Sequence, residues 1–230
     1  PGRTGRTVSP LRHVPCVCGS RQAFADCCAV WEQAFRRLGA RLLAFAHRPA
    51  VRERVDDAES VFDVQGARRG AAVRLASLRF VEWFLHDFEP EPGGGTLLGE
   101  FADQAGGLSW HEEQLLLNLL LAPRRGYQVT EALGPRGLLL RDLSSGAEGP
   151  AGPLGLPEVL IPSDLAVVRL VGLGGARRPG LSLVRLPATA REELLAYLRT
   201  AYGMARAGRH VAFEDFLDGN AHLYHHFYQS

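Results

Sequence analysis

Ser109-Trp110-His111-Glu112-Glu113-Gln114-Leu115-Leu116-Leu117-Asn118-Leu119-Leu120-Leu121-Ala122-Pro123-Arg124-Arg125-Gly126-Tyr127-Gln128-Val129 holds the point at which the chain changes character. Ser109 followed three residues later by Glu112 is a capping box, a hydroxyl and a carboxylate that satisfy free N–H groups at a helix start. Leu115, Leu116, Leu119 and Leu120 then recur at helical steps. Pro123 ends that pattern. From Tyr127 onward the apolar runs are short and bounded by turn residues, which is the signature of strands.

Upstream, everything reads as helix. Trp31, Phe35, Leu38, Leu42 and Phe45 lie on one helical face, and Pro49 closes it. Residues 51–64 predict a second helix. Val73, Phe80, Phe84 and Phe88 line a third, with Trp83 beside the stripe and Pro90 to Gly95 ending it. Thr96 starts a short helix to about residue 104. Downstream, Tyr127–Leu133, Gly137–Leu143, Leu165–Leu173 and Leu181–Leu186 read as strands. Gly134-Pro135, Asp142–Gly146 and Gly172–Gly180 supply turns, and 147–157 reads as a Gly- and Pro-rich loop. Parallel strands need helical crossovers that this order lacks, so the sheet is expected to be small, mainly antiparallel, or a partial barrel. Thr189 and Glu192 predict a second capping box, and Val211–Phe227 a last helix, broken near Gly219-Asn220. The fold class expected is α+β. Four regions follow: 14–30, a zinc-binding motif; 31–122, helical; 123–187, β-rich; and 188–230, C-terminal helices.

The chain has 230 residues, 46% of them apolar, and a net charge of +1. Eight arginines against Asp26 and Glu32 leave residues 1–48 at +6, and the remainder at −5. There is no lysine, which removes Schiff-base and Walker-type lysine chemistry. No apolar run approaches the length of a membrane span.

Cys16-x-Cys18-x8-Cys27-Cys28 puts four thiols within thirteen residues. Zinc takes four such ligands in a tetrahedron. Gly19 gives the chain the freedom to turn sharply after Cys18. Ser20 can cap a short helix over 21–26 that brings Cys27 and Cys28 back to the same ion, provided the helix loosens near Cys27. Two disulfides, a redox pair and clustered buried thiols compete with this reading, but no Cys-x-x-Cys spacing is present. A closed four-thiolate site leaves no position for water, so one structural zinc is expected rather than a hydrolytic one. Thiolate metal sites persist in reducing compartments, so the cytoplasm is the expected location.

Pro15-Cys16-Val17-Cys18-Gly19-Ser20 followed by Cys27-Cys28 resembles the SEC-C motif. That zinc-binding module closes the bacterial preprotein translocase ATPase, where it contacts the SecB chaperone, and it recurs in many other bacterial proteins. The resemblance implies that all four cysteines are zinc ligands and that the chain is bacterial. It covers about fourteen residues. Val17 stands where the motif has Pro, and Arg21–Asp26 lacks its Gly and lysines, which leaves one arginine to complement an acidic partner surface. Nothing in the chain resembles the ATPase motor. The body resembles, more loosely, a group of bacterial proteins with an aromatic helix like Phe80-Val81-Glu82-Trp83-Phe84-Leu85-His86-Asp87-Phe88 and a segment like Leu140-Arg141-Asp142-Leu143; that group implies no activity.

Other residues offer chemistry with less specificity. His222 and His226 share a helix face and, with His225, form a candidate second metal site; core packing and surface exposure explain them more simply. Glu82, His86 and Asp87 could serve as an acid–base set, although a structural ion pair needs no further assumption. His111-Glu112-Glu113 lacks the second histidine of a metalloprotease helix. Arg124-Arg125 and Arg177-Arg178 read as solvated pairs in turns, and Gly172–Gly175 matches no phosphate loop. Trp31, Trp83 and Trp110 fit helix packing. The leading expectation is a non-catalytic zinc protein that docks another protein. The alternatives are a nucleic-acid or ribosome adaptor using Arg3, Arg6, Arg12, Arg21, Arg36, Arg37 and Arg41, and an enzyme using Glu82, His86 and Asp87.

Overall fold

The Ser109 box forms. Its hydroxyl accepts from the Glu112 amide at 3.4 Å, and Glu112 Oε2 accepts from the Ser109 amide at 2.8 Å. The computed structural model describes residues 15–16, 18–62, 77–91, 93–133, 137–152, 160–205 and 211–228. Val14, Val17, Arg3, Arg6, Arg12, Val73, the Gly134-Pro135 turn and 153–157 lie outside them. The helices are α1 (Ala29–Ala46), α2 (Pro49–Arg52), α3 (Val55–Phe62), α4 (Leu78–His86), α5 (Leu97–Gln104), α6 (Trp110–Leu121), α7 (Arg191–Ala205), α8 (Phe213–Asp218) and α9 (His222–Phe227). The strands are β1 (Arg124–Ala132), β2 (Leu138–Asp142), β3 (Glu148–Ala151), β4 (Leu165–Leu173) and β5 (Ala176–Leu186). The chain is therefore α+β.

The five strands form one antiparallel sheet in the order β3-β2-β1-β4-β5. Its two edges approach each other: the Gly152 amide donates to the Arg177 carbonyl at 2.7 Å. The sheet is thus curled into a partial barrel. Tyr127, Val129, Leu138, Leu140, Ala166, Val168 and Leu170 make one apolar cluster on it. Leu165 and Val167, of opposite parity along β4, pack with Leu194, Leu198, Leu217 and Tyr224 of the C-terminal helices. Further along the same face, Val171 and Leu173 enter the core of α1 to α6. Alternation along one strand therefore serves three apolar clusters, one on one face and two on the other, which is why β4 is a nearly unbroken apolar run.

Four expectations need correction. Residues 148–151 are a strand, not a loop, because Leu138–Arg141 offers a free edge on which they pair. The Gly172–Gly180 turn shrinks to Gly174-Gly175: the ladder holds from Gly172↔Arg177 through Leu173↔Ala176. Thr189 lies inside a 3-10 turn, Ala188–Ala190, and Glu192 pairs with Arg191 at 2.6 Å instead of boxing the helix. Ser20 caps no helix; it accepts from the Gln22 amide at 3.3 Å, and the helical turn is confined to Phe24–Asp26.

Gly174 occupies φ +59, and a Cβ there would lie 3.0 Å from Trp31 Nε1. Left-handed backbone costs a side-chain-bearing residue about 1–2 kcal/mol. Gly174→Ala is expected to lower the melting temperature by about 2–8 °C; an unchanged melting curve would contradict the packing.

Candidate metal centre

The cysteines are brought together by a miniature hairpin. Pro15 and Ala23 form an antiparallel bridge, and the Cys16 amide donates to the Gln22 carbonyl at 2.9 Å. The reversal runs through Gly19 at φ +80 and Arg21 at φ +63. The chain then makes the 3-10 turn Phe24–Asp26 and departs from helical geometry at Cys27, with φ −127 and ψ −85. Cys28 re-enters as the N-cap of α1, and its carbonyl accepts from the Glu32 amide at 3.1 Å. That break at Cys27 lets two adjacent side chains converge, which a regular helix would forbid.

All four thiols are free, and their sulfurs lie within 4.8 Å of one another. Cys18 Sγ is 3.2 Å from Cys16 Sγ and 3.3 Å from Cys27 Sγ, and Cys27 Sγ is 3.8 Å from Cys28 Sγ. Four sulfurs at about 2.3 Å from a tetrahedral ion stand about 3.8 Å apart. The set could hold a metal ion, and it is the only such group among the described residues. Ser20 Oγ donates to Cys27 Sγ at 3.2 Å, a second contact that orients a ligand.

Electrostatics at the cluster favour ionisation of Cys18 and oppose that of Cys16 and Cys28. Burial opposes ionisation of Cys18, but hydrogen bonds with Ser20, Cys16 and Cys27 outweigh it and bring that thiol down to about 6. Burial pushes Cys16 up, and burial followed by the Cys16 sulfur pushes Cys28 up strongly. Each added negative sulfur in so small a volume repels the others unless a cation sits among them.

The knuckle is seated on the body. Cys16, Phe24 and Cys28 pack with Ala176 of β5, and Gly175 lies so close that a Cβ would be 3.1 Å from Cys18 Cβ. The Gly-rich β4–β5 turn is thus the platform for the cysteines and for Trp31. No local signal marks that role. Trp31 in turn meets Trp110 at 5.6 Å and His111 at 4.8 Å between ring centroids. Trp110 is 60% exposed, and its ring packs on Trp31 from the start of α6.

Glu82 and Asp87 each engage partners the sequence did not indicate. Between Val168↔Leu183 and Leu170↔Pro179 the β4–β5 register slips, so β5 bulges over Gly180 to Ser182. Glu82 enters that bulge. Its Oε1 accepts from the Leu181 amide at 2.9 Å; its Oε2 accepts from Ser182 Oγ at 2.5 Å and from Arg124 Nη2. Asp87 accepts from Arg169 Nη2 at 2.7 Å. Glu82 and Arg124 are buried. The group ties α4 to the sheet.

The arginine pairs are not solvated turns. Arg124 and Arg125 lie in β1, and Arg125 makes a two-pronged contact with Asp218 at 2.8 and 2.7 Å. Arg178 pairs with Glu32 and lies 4.1 Å from the Phe35 ring centre. Arg177 packs against Gly149. Among the candidate basic residues, Arg36 pairs with Glu32 at 3.2 Å and Arg37 with Glu112 at 3.1 Å, while Arg41 donates to the Gly106 carbonyl at 2.6 Å. The body therefore supplies acceptors for Arg37 and Arg41, and α1 itself supplies Glu32 for Arg36.

His222 and His226 stand 5.3 Å apart between ring centres, but no third ligand joins them among the described residues. His225 is buried and stacks on Phe62 at 3.4 Å. Burial, then Arg79, lowers His225 to about 3 against a backbone hydrogen bond with Phe62. Burial, then Arg169 and Arg124, lowers His86 well below its ordinary value of 6.5. Below the unfolded value near 6.5 the unfolded chain binds protons that the native protein does not. Stability is therefore present above pH 6.5 and lost as pH falls, by roughly 1.4 kcal/mol per pH unit for each fully shifted histidine. Urea denaturation of metal-loaded protein should give a smaller unfolding free energy at about pH 5.5 than at about pH 7, with a shallower slope in His225→Phe. Equal slopes in the two proteins would contradict the assignment.

No family model, curated protein or solved structure matches the chain. Among the described residues, no helix is long and apolar enough to cross a membrane.

Proposed function

We propose that the chain is a non-catalytic zinc protein whose SEC-C-like knuckle holds one structural zinc through Cys16, Cys18, Cys27 and Cys28 and presents a docking surface to another protein. The observation that carries this reading is the convergence of four free sulfurs within 4.8 Å. An all-sulfur donor set favours a soft or borderline ion, and tetrahedral four-thiolate geometry favours zinc. The four thiolates fill the coordination shell, so the ion shapes the chain rather than activating water. The cytoplasm, which keeps thiols reduced, is the compartment this reading assigns.

Docking is supported by an exposed apolar stripe of α6 that begins beside the knuckle at Trp110. Trp110, Leu117 and Leu121 of α6 are 60%, 51% and 80% exposed, and Trp110 touches Trp31 at the knuckle's base. The enzyme alternative is weakened by the burial of Glu82 and the full engagement of its carboxylate. The nucleic-acid alternative is weakened by the acceptors that hold Arg36, Arg37 and Arg41.

The test is affinity capture of the intact protein from lysate of its own cells, alongside Cys27→Ser. One partner held by the native chain and lost from the variant, with zinc content lowered in step, is the expected result. An identical partner set for both chains would remove the knuckle from the docking role, and a zinc-free native chain would remove the metal.

A further inference from the structure

Six polar atoms near the junction of α4, the sheet and the C-terminal segment are buried with no hydrogen-bond partner among the described residues. They are Arg124 Nε and Nη1, Arg169 Nε, His86 Nε2, Asp87 Oδ2 and Tyr228 Oη. Buried guanidinium, carboxylate and imidazole groups are almost always satisfied, by protein or by bound water. Arg124 is the hub of the group. Only its Nη2 is engaged, by Glu82 and by Ser182 Oγ at 2.5 Å, and its charge acts on His86 and on Tyr228.

We infer that Arg124 anchors a buried hydration site, in which ordered water molecules are held by Arg124 and by His86, Asp87, Arg169 and Tyr228. The chemistry of the partners selects water over other small ligands. Arg124 and Arg169 offer N–H donors, while Asp87 Oδ2 accepts. His86 hydrogen-bonds to the Leu119 backbone and is held neutral, so its Nε2 also accepts. A ligand here must donate as well as accept, which a bare oxyanion cannot do. Charge argues the same way. Glu82 already faces Arg124, and Asp87 already faces Arg169, so each guanidinium has its counter-charge. Water adds hydrogen bonds without adding an ion.

Tyr228 follows α9, and its amide donates to the His225 carbonyl at 3.1 Å. The Arg79 guanidinium carbon lies over the Tyr228 ring, 5.9 Å from its centre. The unpartnered atoms are all buried, so the site is internal. The residues that suggested acid–base chemistry in the sequence become the lining of a closed polar core.

Two measurements on the full-length, zinc-loaded protein test this. Water-selective NMR should give a cross-peak between long-lived water and the Arg124 Nε proton. A high-resolution crystal structure should show water within hydrogen-bond distance of Arg124 Nε or Nη1. Tyr228→Phe keeps the ring and removes one partner, so at least one of these waters should be lost while the Glu82–Arg124 contact remains. A dry Arg124 in the crystal would overturn the inference. Density for phosphate or bicarbonate after soaking, with displacement of the water signal, would overturn it equally by making this an anion site. An unchanged set of waters in Tyr228→Phe would remove Tyr228 from the site and overturn its role as a water partner.

Discussion

Removing the metal is expected to unfold the knuckle and leave most of the molecule intact. Among the described residues the knuckle buries only Cys16, Phe24 and Cys28 against Ala176, with Cys18, Cys27 and Ala29 partly covered. One fully buried large side chain contributes roughly 1.5–3 kcal/mol. Ordering the backbone costs about 1–2 kcal/mol for each residue fixed. Structural zinc supplies on the order of 10 kcal/mol in short motifs, so the ion decides the local balance. The helical core does not depend on it: Phe80, Phe84, Leu97 and Leu115 are fully buried among themselves and their neighbours. Hydrogen exchange with a strong chelator should therefore show protection lost over the described residues between 15 and 30. It should also weaken at the Gly174-Gly175 turn, on which Cys18 and Trp31 rest. Loss of protection across α4 and β4 as well would make the metal a global folding element.

The second large effect is expected at Glu82. Truncating one partner of a buried ion pair leaves the other charge uncompensated and costs about 3–5 kcal/mol. Glu82→Ala strands Arg124, frees the Leu181 amide in the β5 bulge and removes the acceptor of Ser182. Urea denaturation should show a loss in that range. Replacing both partners with apolar residues, Glu82→Leu with Arg124→Met, should recover much of it, because the desolvated charge disappears with its mate. A Glu82→Ala protein within about 1 kcal/mol of the native chain would mean that Arg124 finds another partner or reaches solvent.

These two sites differ in how well the sequence announced them. The convergence of the four cysteines was legible because a metal site would demand a fixed set of ligands at short spacing, and Gly19 marks the required turn. The helix-to-strand switch at Pro123 was legible from capping and periodicity. Glu82 was visible as a charged residue in an aromatic helix, but its partners lie 42 and 100 residues away, at Arg124 and Ser182. The bulge that receives it was hidden because Gly180 and Pro179 read as turn residues, whereas β5 sits at a sheet edge where Pro is tolerated. Arg124-Arg125 and Arg177-Arg178 misled for a related reason. Gly126, next to Arg124-Arg125, supplies close packing rather than a turn, since a Cβ there would meet Leu143 at 3.1 Å; Arg177-Arg178 does follow a turn at Gly174-Gly175, but the pair already lies in β5, with Arg177 against Gly149. Strand β3 was missed because Gly149 and Pro150 pair only once the β2 edge exists to receive them.

X-ray absorption at the zinc edge tests the central assignment most directly. One zinc per chain with a shell of four sulfurs at about 2.3 Å is the expected result. A shell containing nitrogen or oxygen, or purified native protein carrying no zinc, would contradict it.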